Sequence, residues 1–260
     1  MCQIKVARYK DDKHAFENGF SSCPVLTGAY SQASFARCRL QPGCEVEPKR
    51  YPLEEHNQIF VFFGGKGFIT TPREAWNITE VSVFVPEFDK EPFVIRTSAD
   101  SKEPLEFLHI VTEISDYDRA CLKEARITLP RFRRISQGWT YYEDFKEKHT
   151  TSLMLIEHRN LGRLSMGAVL GRGPTVIGAH IHNELVQWYF PLKGSRFIYE
   201  ANGEQIEIPE EISAILRRVC IMGAGPTRGK STTIFGLSCA KTGTRVKSNK
   251  KELKIGRAHV

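Results

Sequence analysis

The sequence lacks any apolar run of about 18 residues or more, the length that a transmembrane helix needs. Its first residues also lack the apolar stretch of a signal peptide. We therefore expect a cytoplasmic protein with no membrane partner. Cys-x-x-Cys spacings are absent too, because the seven cysteines are scattered along 260 residues. This distribution favours free thiols over a disulfide framework.

Motifs for phosphate binding and nucleophilic catalysis are also missing. Between Gly225 and Gly229 there are three residues, whereas a phosphate-binding loop has four at this place. Pro226 removes a backbone amide that such a loop would use. No Gly-x-Ser-x-Gly elbow occurs either. These absences argue against a nucleotide-binding loop and against a hydrolase of the serine type.

Positive charge is in moderate excess, with 37 Lys and Arg against 30 Asp and Glu. Much of this excess lies in a basic tail, residues 242–260, which has no stacking aromatics between its basic residues. Surfaces that bind nucleic acids usually combine basic residues with stacking aromatic residues, so we predict no nucleic-acid partner. The last six residues, 255–260, resemble a translated adapter sequence, and we expect the natural C-terminus to differ.

Short strand-like segments separated by turn residues make up most of the chain. The Asn202-Gly203 pair, for example, is a strong signal for a tight β-hairpin. Helical patterns are scarce, and the best candidate is 115–125. This density of short strands predicts an all-β sandwich or barrel.

The most informative segment contains His180 and His182, followed by Gln187. Residues at positions i and i+2 of a strand point to the same face, so the two imidazoles can share a divalent metal. After His182 the chain turns into the apolar segment 185–192, which Gln187 enters near its beginning. A site with two His ligands and one amide oxygen is therefore a candidate metal centre. The alternative is a pair of barrel-facing histidines held by hydrogen bonds.

This spacing resembles the first motif of the cupin superfamily, in which Gly precedes His-x-His, then Glu and a second Gly. The corresponding residues are Gly173, His180, His182, Gln187 and Gly194. Gln187 stands where the family usually has Glu, and no His follows the turn at 225–230 where a last ligand is expected. The resemblance implies a double-stranded β-helix, or jelly-roll, barrel. It also implies a divalent metal that is weakly held, because a neutral Gln balances none of the metal charge.

The motif has a partial copy in the first half of the chain. Gln58 begins an apolar run that ends at Gly64 and Gly65, as Gln187 begins one that ends at Gly194. In this alignment Tyr51 and Leu53 occupy the places of the two histidines. An internal repeat predicts two barrels in tandem, the first without its ligands. A second, weaker donor cluster surrounds His56, with Glu54 and Gln58 on the same predicted strand face.

The repeat suggests a division of the chain into four parts. We predict an N-terminal degenerate barrel over 1–118, a basic linker or strap over 119–150, a C-terminal barrel over 151–241 and the tail over 242–260. Pairing of two copies through sheet edges would hide those edges, so a homodimer is also expected.

Three further residues are candidates for binding a substrate. Arg228 and Arg196 can form an anion clamp at the mouth of the second barrel, since guanidinium groups bind carboxylates through two hydrogen bonds. Trp188, beside Gln187, is a candidate lining residue.

Two classes of function remain open from the sequence. The first is a metal-dependent enzyme that acts on a small polar, anionic metabolite such as a sugar acid, by isomerase, lyase or hydrolase chemistry. The second is a non-catalytic cupin that binds or senses a small ligand. An acid or base beside the histidines would favour the enzyme, and a purely aromatic and apolar pocket would favour the binding protein.

Overall fold

The computed structural model describes residues 4–8, 11–125, 127–172, 175–181, 185–192, 194–201, 204–208, 212–218, 221–225 and 232–240. Within these ranges the regular structure is almost entirely β, which confirms the predicted fold class. The helix predicted at 115–125 is observed as α1, Asp116–Glu124, and Ser115 caps its N-terminus.

In the part of the chain that the structure describes, ten strands precede α1 and eleven follow it. The first ten are β1 Lys5–Arg8, β2 Phe20–Val25, β3 Ala33–Leu40, β4 Glu45–Val46, β5 His56–Gly64, β6 Gly67–Thr70, β7 Ala75–Ile78, β8 Ser82–Val85, β9 Val94–Thr97 and β10 Leu105–Glu113. After α1 come β11 Arg131–Arg134, a short 3-10 helix Ile135–Gln137, β12 Trp139–Tyr141, β13 Thr150–Leu161, β14 Leu164–Gly171, β15 Ile177–Ile181, β16 Leu185–Pro191, β17 Phe197–Ala201, β18 Glu204–Ile208, β19 Ile212–Arg218, β20 Ile221–Gly225 and β21 Thr232–Ala240.

The described strands form four antiparallel sheets, a larger and a smaller one in each half of the chain. The larger sheets have the orders β11-β8-β5-β10-β3-β2 and β1-β19-β16-β21-β14-β13-β12. The smaller sheets have the orders β4-β9-β6-β7 and β15-β20-β17-β18. The strand order β8-β5-β10-β3 in the first large sheet therefore corresponds to the order β19-β16-β21-β14 in the second. Gln58 and Gln187 are both the third residue of corresponding strands, β5 and β16.

Sheet membership does not follow the predicted domain boundaries. The N-terminal strand β1 pairs with β19 of the second large sheet, with Lys5 opposite Leu216. The segment 119–150, which we predicted as a linker or strap, contributes an edge strand to each large sheet. Strand β11 pairs with β8, and β12 pairs with β13. Such pairings between distant segments leave no local trace in the sequence, because each strand shows only its own alternation.

An ion cluster anchors this segment to the second half. The Glu157 carboxylate, on β13, accepts hydrogen bonds from Arg133 Nη1 at 2.5 Å and from Trp139 Nε1 at 3.2 Å. Arg131 Nη2 lies 3.1 Å from the other carboxylate oxygen, which also accepts from Asn160 Nδ2 at 2.9 Å. Because Arg131 and Arg133 belong to an edge strand of the first large sheet, Glu157 connects the two large sheets.

The two large sheets pack against each other through one face of each. Ile59 and Val61 come from β5, and Val186, Trp188 and Phe190 come from β16. These residues belong to one continuous buried cluster, and they occupy alternate positions on their strands. The opposite face of each large sheet therefore lies toward the smaller sheet of its own half.

The interior of the first half is filled by phenylalanine. Phe60, Phe62, Phe84, Phe93 and Phe107 are all essentially inaccessible to solvent and belong to one cluster. The Phe60 ring contacts the rings of Phe84, Phe93 and Phe107 at centroid distances of 5.5 to 6.2 Å. Aromatic pairs of this kind contribute packing energy beyond that of the buried area, so these rings stabilise the hydrophobic core of the first half.

Candidate functional site

The first part of the His-x-His motif, His180 and Ile181, belongs to the smaller sheet of the second half. His180 is in β15, where its backbone pairs with Met222 of β20. Ala201 of β17 pairs with Met222 from the other side, and Ala201 is buried in the interior of this half. The backbone register therefore aligns position 180 with an interior position of the neighbouring strands. The side chain of His180, and all of His182 and Arg228, lie outside the described residues.

Gln187 lies on the interior face of β16. Its neighbour on that face, Tyr189, packs against Tyr199 of the smaller sheet with ring centroids 5.5 Å apart. The Tyr189 hydroxyl donates a hydrogen bond to Gln187 Oε1 at 3.0 Å. This bond helps to orient the Gln187 carboxamide. Gln187 is thus a half-buried oxygen donor on the side that the motif requires.

Two tyrosines in this interior were missed in the sequence analysis. Tyr189 follows Gln187 by two residues, so strand alternation could have placed it on the same face. Tyr199 belongs to β17 and is almost completely buried, and only the three-dimensional packing brings it here. The two phenol groups give the surroundings of Gln187 an aromatic wall that carries hydroxyl groups.

The prediction that Trp188 lines the barrel pocket is wrong. Its indole ring is fully buried between the two large sheets, where it contacts Tyr30 at 5.4 Å and Phe35 at 5.2 Å between ring centroids. Adjacent residues of a strand point to opposite faces, so Trp188 and Gln187 cannot both face the interior. Trp188 is a core residue of the interface between the halves.

Arg196 takes part in a surface ion pair. Its Nη2 lies 2.7 Å from Glu207 Oε1, and both side chains are about 60% exposed. The neighbouring Nε donates to the same oxygen at 3.2 Å. A carboxylate of the protein already uses this guanidinium fork, so the structure gives no support to the predicted role of Arg196 in an anion clamp.

The corresponding place in the first half holds a neutral polar cluster. Gln58 Nε2 donates to the Lys49 carbonyl oxygen at 2.7 Å and lies 3.2 Å from His109 Nε2. The His109 ring stacks on Phe60 with centroids 4.5 Å apart, and burial lowers the pKa of His109 to about 4. His109 is therefore neutral at pH 7 and can accept the Gln58 amide hydrogen.

The remaining candidates of the first half lie before β5 and at its first residue. Tyr51 and Leu53 precede β5 in a non-strand segment, and the Tyr51 ring lies 4.9 Å from the His56 ring. His56 Nδ1 is 3.8 Å from Glu55, whose carboxylate is mostly exposed. Among the residues whose placement the structure describes, no group of three or more His, Cys, Asp or Glu side chains could hold a metal.

A second polar cluster lies near the N-terminal end of β15, whereas His180 is near its C-terminal end. Lys146 ion-pairs with Glu143 and donates to Ser152 Oγ at 2.6 Å, and its side chain is only 9% exposed. Burial, helped by the charge of Glu143, raises the pKa of the adjacent Tyr141 to about 12. The backbone of this segment binds β15, since Gly178 N donates to the Phe145 oxygen at 2.6 Å. These groups help to attach the connecting segment to the strand that carries His180.

No protein-family model matches the chain, and no curated protein matches it in sequence. Solved structures do. A glyoxylate-induced protein from Pseudomonas aeruginosa superposes with a TM-score of 0.71 at 13% identity, over 92% of this chain and 87% of that one. A formate complex of Lactobacillus farciminis oxalate decarboxylase gives 0.65 at 10% identity, with coverage of 92% and 87%. The oxalate decarboxylase of Bacillus subtilis, studied for its Mn(II) centres, gives 0.63 at 10%, with coverage of 91% and 77%.

These neighbours are cupin proteins, and they decide the fold. The chain has a cupin-type jelly-roll fold. At 10 to 13% identity the likeness extends to the fold alone, since one fold can carry unrelated activities. Within the described part of this cupin-like chain, no helix is long and apolar enough to cross a membrane.

Proposed function

We propose that the chain is a tandem cupin whose second unit binds a divalent metal through His180, His182 and Gln187. We further propose that this unit acts on a small anionic metabolite such as a sugar acid. The observation that carries the proposal is the Gln187 carboxamide oxygen, which lies on the interior face of β16 and is oriented by Tyr189. The backbone register of β15, which aligns position 180 with the interior residue Ala201, supports it.

The described donor fits a hard or borderline cation. An amide oxygen and two imidazoles form a neutral ligand set, and three protein ligands leave open positions for a substrate oxygen. A metal bound there would act as a Lewis acid that polarises a substrate carbonyl or hydroxyl group. The chain itself contributes the aromatic wall of Tyr189 and Tyr199, which excludes water, and the Tyr189 hydroxyl, which holds a proton beside Gln187 Oε1.

The structural neighbours support an anionic substrate of low mass. Their names concern oxalate, formate and glyoxylate, which are all small carboxylates, and one study concerns Mn(II) centres. A carboxylate that binds an open metal position would also balance the charge that Gln187 leaves unbalanced. The class of reaction, whether isomerase, lyase or hydrolase, stays open.

The second candidate function is binding of a small ligand without turnover. The described wall near Gln187 favours it, because Tyr189 and Tyr199 provide ring surface and hydroxyl groups without a carboxylate among them. In this case the same pocket would take a planar or carboxylate ligand, and the ligand would be recovered unchanged.

Elemental analysis of the purified protein tests the proposed metal. The wild type, loaded with Mn²⁺ or Zn²⁺ and then dialysed, should retain about one equivalent, whereas the double variant His180→Ala, His182→Ala should retain none. The variant His158→Ala is the matched control, because it removes an exposed imidazole of β13. Equal metal content in the wild type and the double variant would contradict the proposal.

A second measurement separates the enzyme from the binding protein. Oxalate, glyoxylate and a sugar acid are each incubated with the metal-loaded wild type, and products are followed by nuclear magnetic resonance. Conversion that disappears in the double variant supports the enzyme. Tight binding of an acid that is never converted supports the non-catalytic alternative.

A further inference from the structure

A small cavity lies between the two halves of the molecule, on the side of the interface away from Gln187. Its lining includes Tyr30, Gln32, Thr112, Asp118, Arg163 and Trp188. These residues come from both large sheets, from α1 and from the β13–β14 connection. The space that the centre of a water molecule can occupy there is about 10 Å³. This volume corresponds to about one water molecule, so any larger ligand is excluded.

Two residues of this lining each carry a buried polar side-chain atom that has no hydrogen-bond partner within the described part of the chain. These atoms are Nε1 of Trp188 and Oγ1 of Thr112. Trp188 is 0% exposed and Thr112 is 5% exposed, so bulk solvent does not reach either residue freely. Buried polar groups are paired in the great majority of cases. Two unpaired atoms on residues that line the same cavity therefore point to a shared partner.

The neighbouring protein groups are already engaged with one another. Gln32 Oε1 accepts from the Tyr30 hydroxyl at 2.8 Å and from Arg163 Nη1 at 3.4 Å. Asp118 pairs with Arg163, with Nε 3.0 Å from Oδ2. Glu113 also lines the cavity but is an exposed residue, so the buried charges of the lining are those of Asp118 and Arg163, which balance each other. A neutral molecule of the size of water matches both the volume and the electrostatics.

We propose that one ordered water molecule binds in this cavity. The water accepts a hydrogen bond from Trp188 Nε1 and donates one to the Thr112 hydroxyl oxygen. Gln32 and Asp118 belong to the same lining, and their side-chain oxygens are candidate acceptors for the second hydrogen of the water. Thr112 belongs to β10 of the first large sheet, and Trp188 belongs to β16 of the second. The water thus bridges the two halves at the strand that carries Gln187. This inference does not depend on the proposed function.

A crystal structure at high resolution tests the site directly. We expect a density peak within hydrogen-bond distance, roughly 2.7–3.2 Å, of both Trp188 Nε1 and Thr112 Oγ1. A cavity without such a peak would overturn the proposal.

The variant Thr112→Val gives an independent test, because it replaces the hydroxyl by a methyl group of similar size. If the hydroxyl binds the water, its removal leaves the water with one partner fewer, and the melting temperature should fall by about 2–4 °C. If the hydroxyl has no partner, replacing it by an apolar group should leave the melting temperature unchanged or raise it, which would overturn the proposal.

Thr97→Val is the matched control. Thr97 is 3% exposed, and its hydroxyl donates directly to the Leu40 oxygen at 3.0 Å. The change in melting temperature of this variant shows what the loss of a buried, hydrogen-bonded hydroxyl group costs in this protein. A fall for Thr112→Val that is comparable with the control supports the bound water.

Discussion

Asp118 and Arg163 form an ion pair that is almost completely removed from solvent, with side-chain exposures of 2% and 7%. Asp118 lies in the first turn of α1, and Arg163 lies in the tight connection between β13 and β14. The carboxylate also accepts from the backbone amides of Ser115 at 2.8 Å and Arg163 at 2.6 Å. The Asp118 carboxylate thereby attaches α1 to the second half, in addition to the pair of Glu124 with Arg159.

Substitution of Asp118 by Asn should be strongly destabilising. The change keeps the size of the side chain but leaves the Arg163 charge buried without a counterion, which costs about 3–5 kcal/mol in comparable cases. Urea denaturation measures the loss. The matched control is Asp116→Asn, two residues away in the same turn of the helix, where the Asp116 side chain is 99% exposed in its pair with Arg119. The control should change the free energy of unfolding very little, and equal effects of the two variants would contradict the prediction.

The Glu157 cluster predicts a dependence of stability on acid pH. Burial alone would raise the pKa of Glu157, but the hydrogen bond from Arg133 and the other cationic and indole donors outweigh it and lower the pKa. A carboxyl group with a lowered pKa in the folded state stabilises the fold above its unfolded pKa, near 4.3. This contribution is lost as the pH falls through the folded value.

The variant Glu157→Gln isolates that contribution. At pH 7 we expect a loss of about 2 kcal/mol, since hydrogen bonds to a charged group are replaced by weaker ones. Between pH 5 and pH 3 the stability of the variant should fall less than that of the wild type, as measured by urea denaturation at each pH. Parallel curves would show that Glu157 titrates alike in both states. Glu147→Gln is a suitable comparison, because Glu147 is an exposed glutamate of the connecting segment that accepts only a backbone amide, that of Val176 at 2.9 Å.

Local alternation in the sequence was sufficient to predict the class of fold, but it was not applied consistently to the site. The same rule that puts His180 and His182 on one face puts Gln187 and Trp188 on opposite faces. The assignment of Trp188 to the pocket could therefore have been rejected from the sequence. Tyr189, two residues after Gln187, could have been found in the same way.

Pairings between distant segments could not be predicted. Strand β1 has only four residues and no feature that distinguishes the β19 edge from any other sheet edge. The pairing of Arg196 with Glu207 depends on the neighbouring strand β18, and the ion pair of Asp118 depends on a residue 45 positions away. These relations arise from the tertiary packing of the sheets.

The hydrogen bond between Tyr189 and Gln187 predicts a positioning role for Tyr189. The variant Tyr189→Phe keeps the ring packing against Tyr199 but removes the hydrogen bond from the Tyr189 hydroxyl to the Gln187 carboxamide. We expect metal affinity to fall by about 10-fold or more, as for other groups that orient a metal ligand, while the melting temperature changes little. Competition with a chelator, followed by elemental analysis, measures the affinity. Tyr30→Phe is the control, because Tyr30 donates to Gln32 outside the barrel interior, and equal affinities of the two variants would count against this role.

The His109–Phe60 stack predicts a second pH effect, located in the first half. Burial lowers the pKa of His109 to about 4, against 6.5 for an ordinary histidine. The folded state therefore prefers the neutral ring, so this stability is complete above pH 6.5 and is lost progressively as the pH falls toward 4. The full difference amounts to about 3 kcal/mol at 1.36 kcal/mol per pKa unit.

The variant His109→Phe should abolish this effect. Phenylalanine retains an aromatic ring against Phe60 but cannot bind a proton, and it deprives Gln58 Nε2 of one acceptor. We expect the variant to be less stable than the wild type at pH 7.5, by about 1 kcal/mol for the lost hydrogen bond, yet to lose less stability on acidification to pH 4.5. Urea denaturation at both pH values gives the two differences, and a proton resonance titration of His109 gives its pKa directly. A midpoint near 6.5 in the folded protein would show that His109 is solvated, and the neutral cluster of Gln58 and His109 would then have to be abandoned.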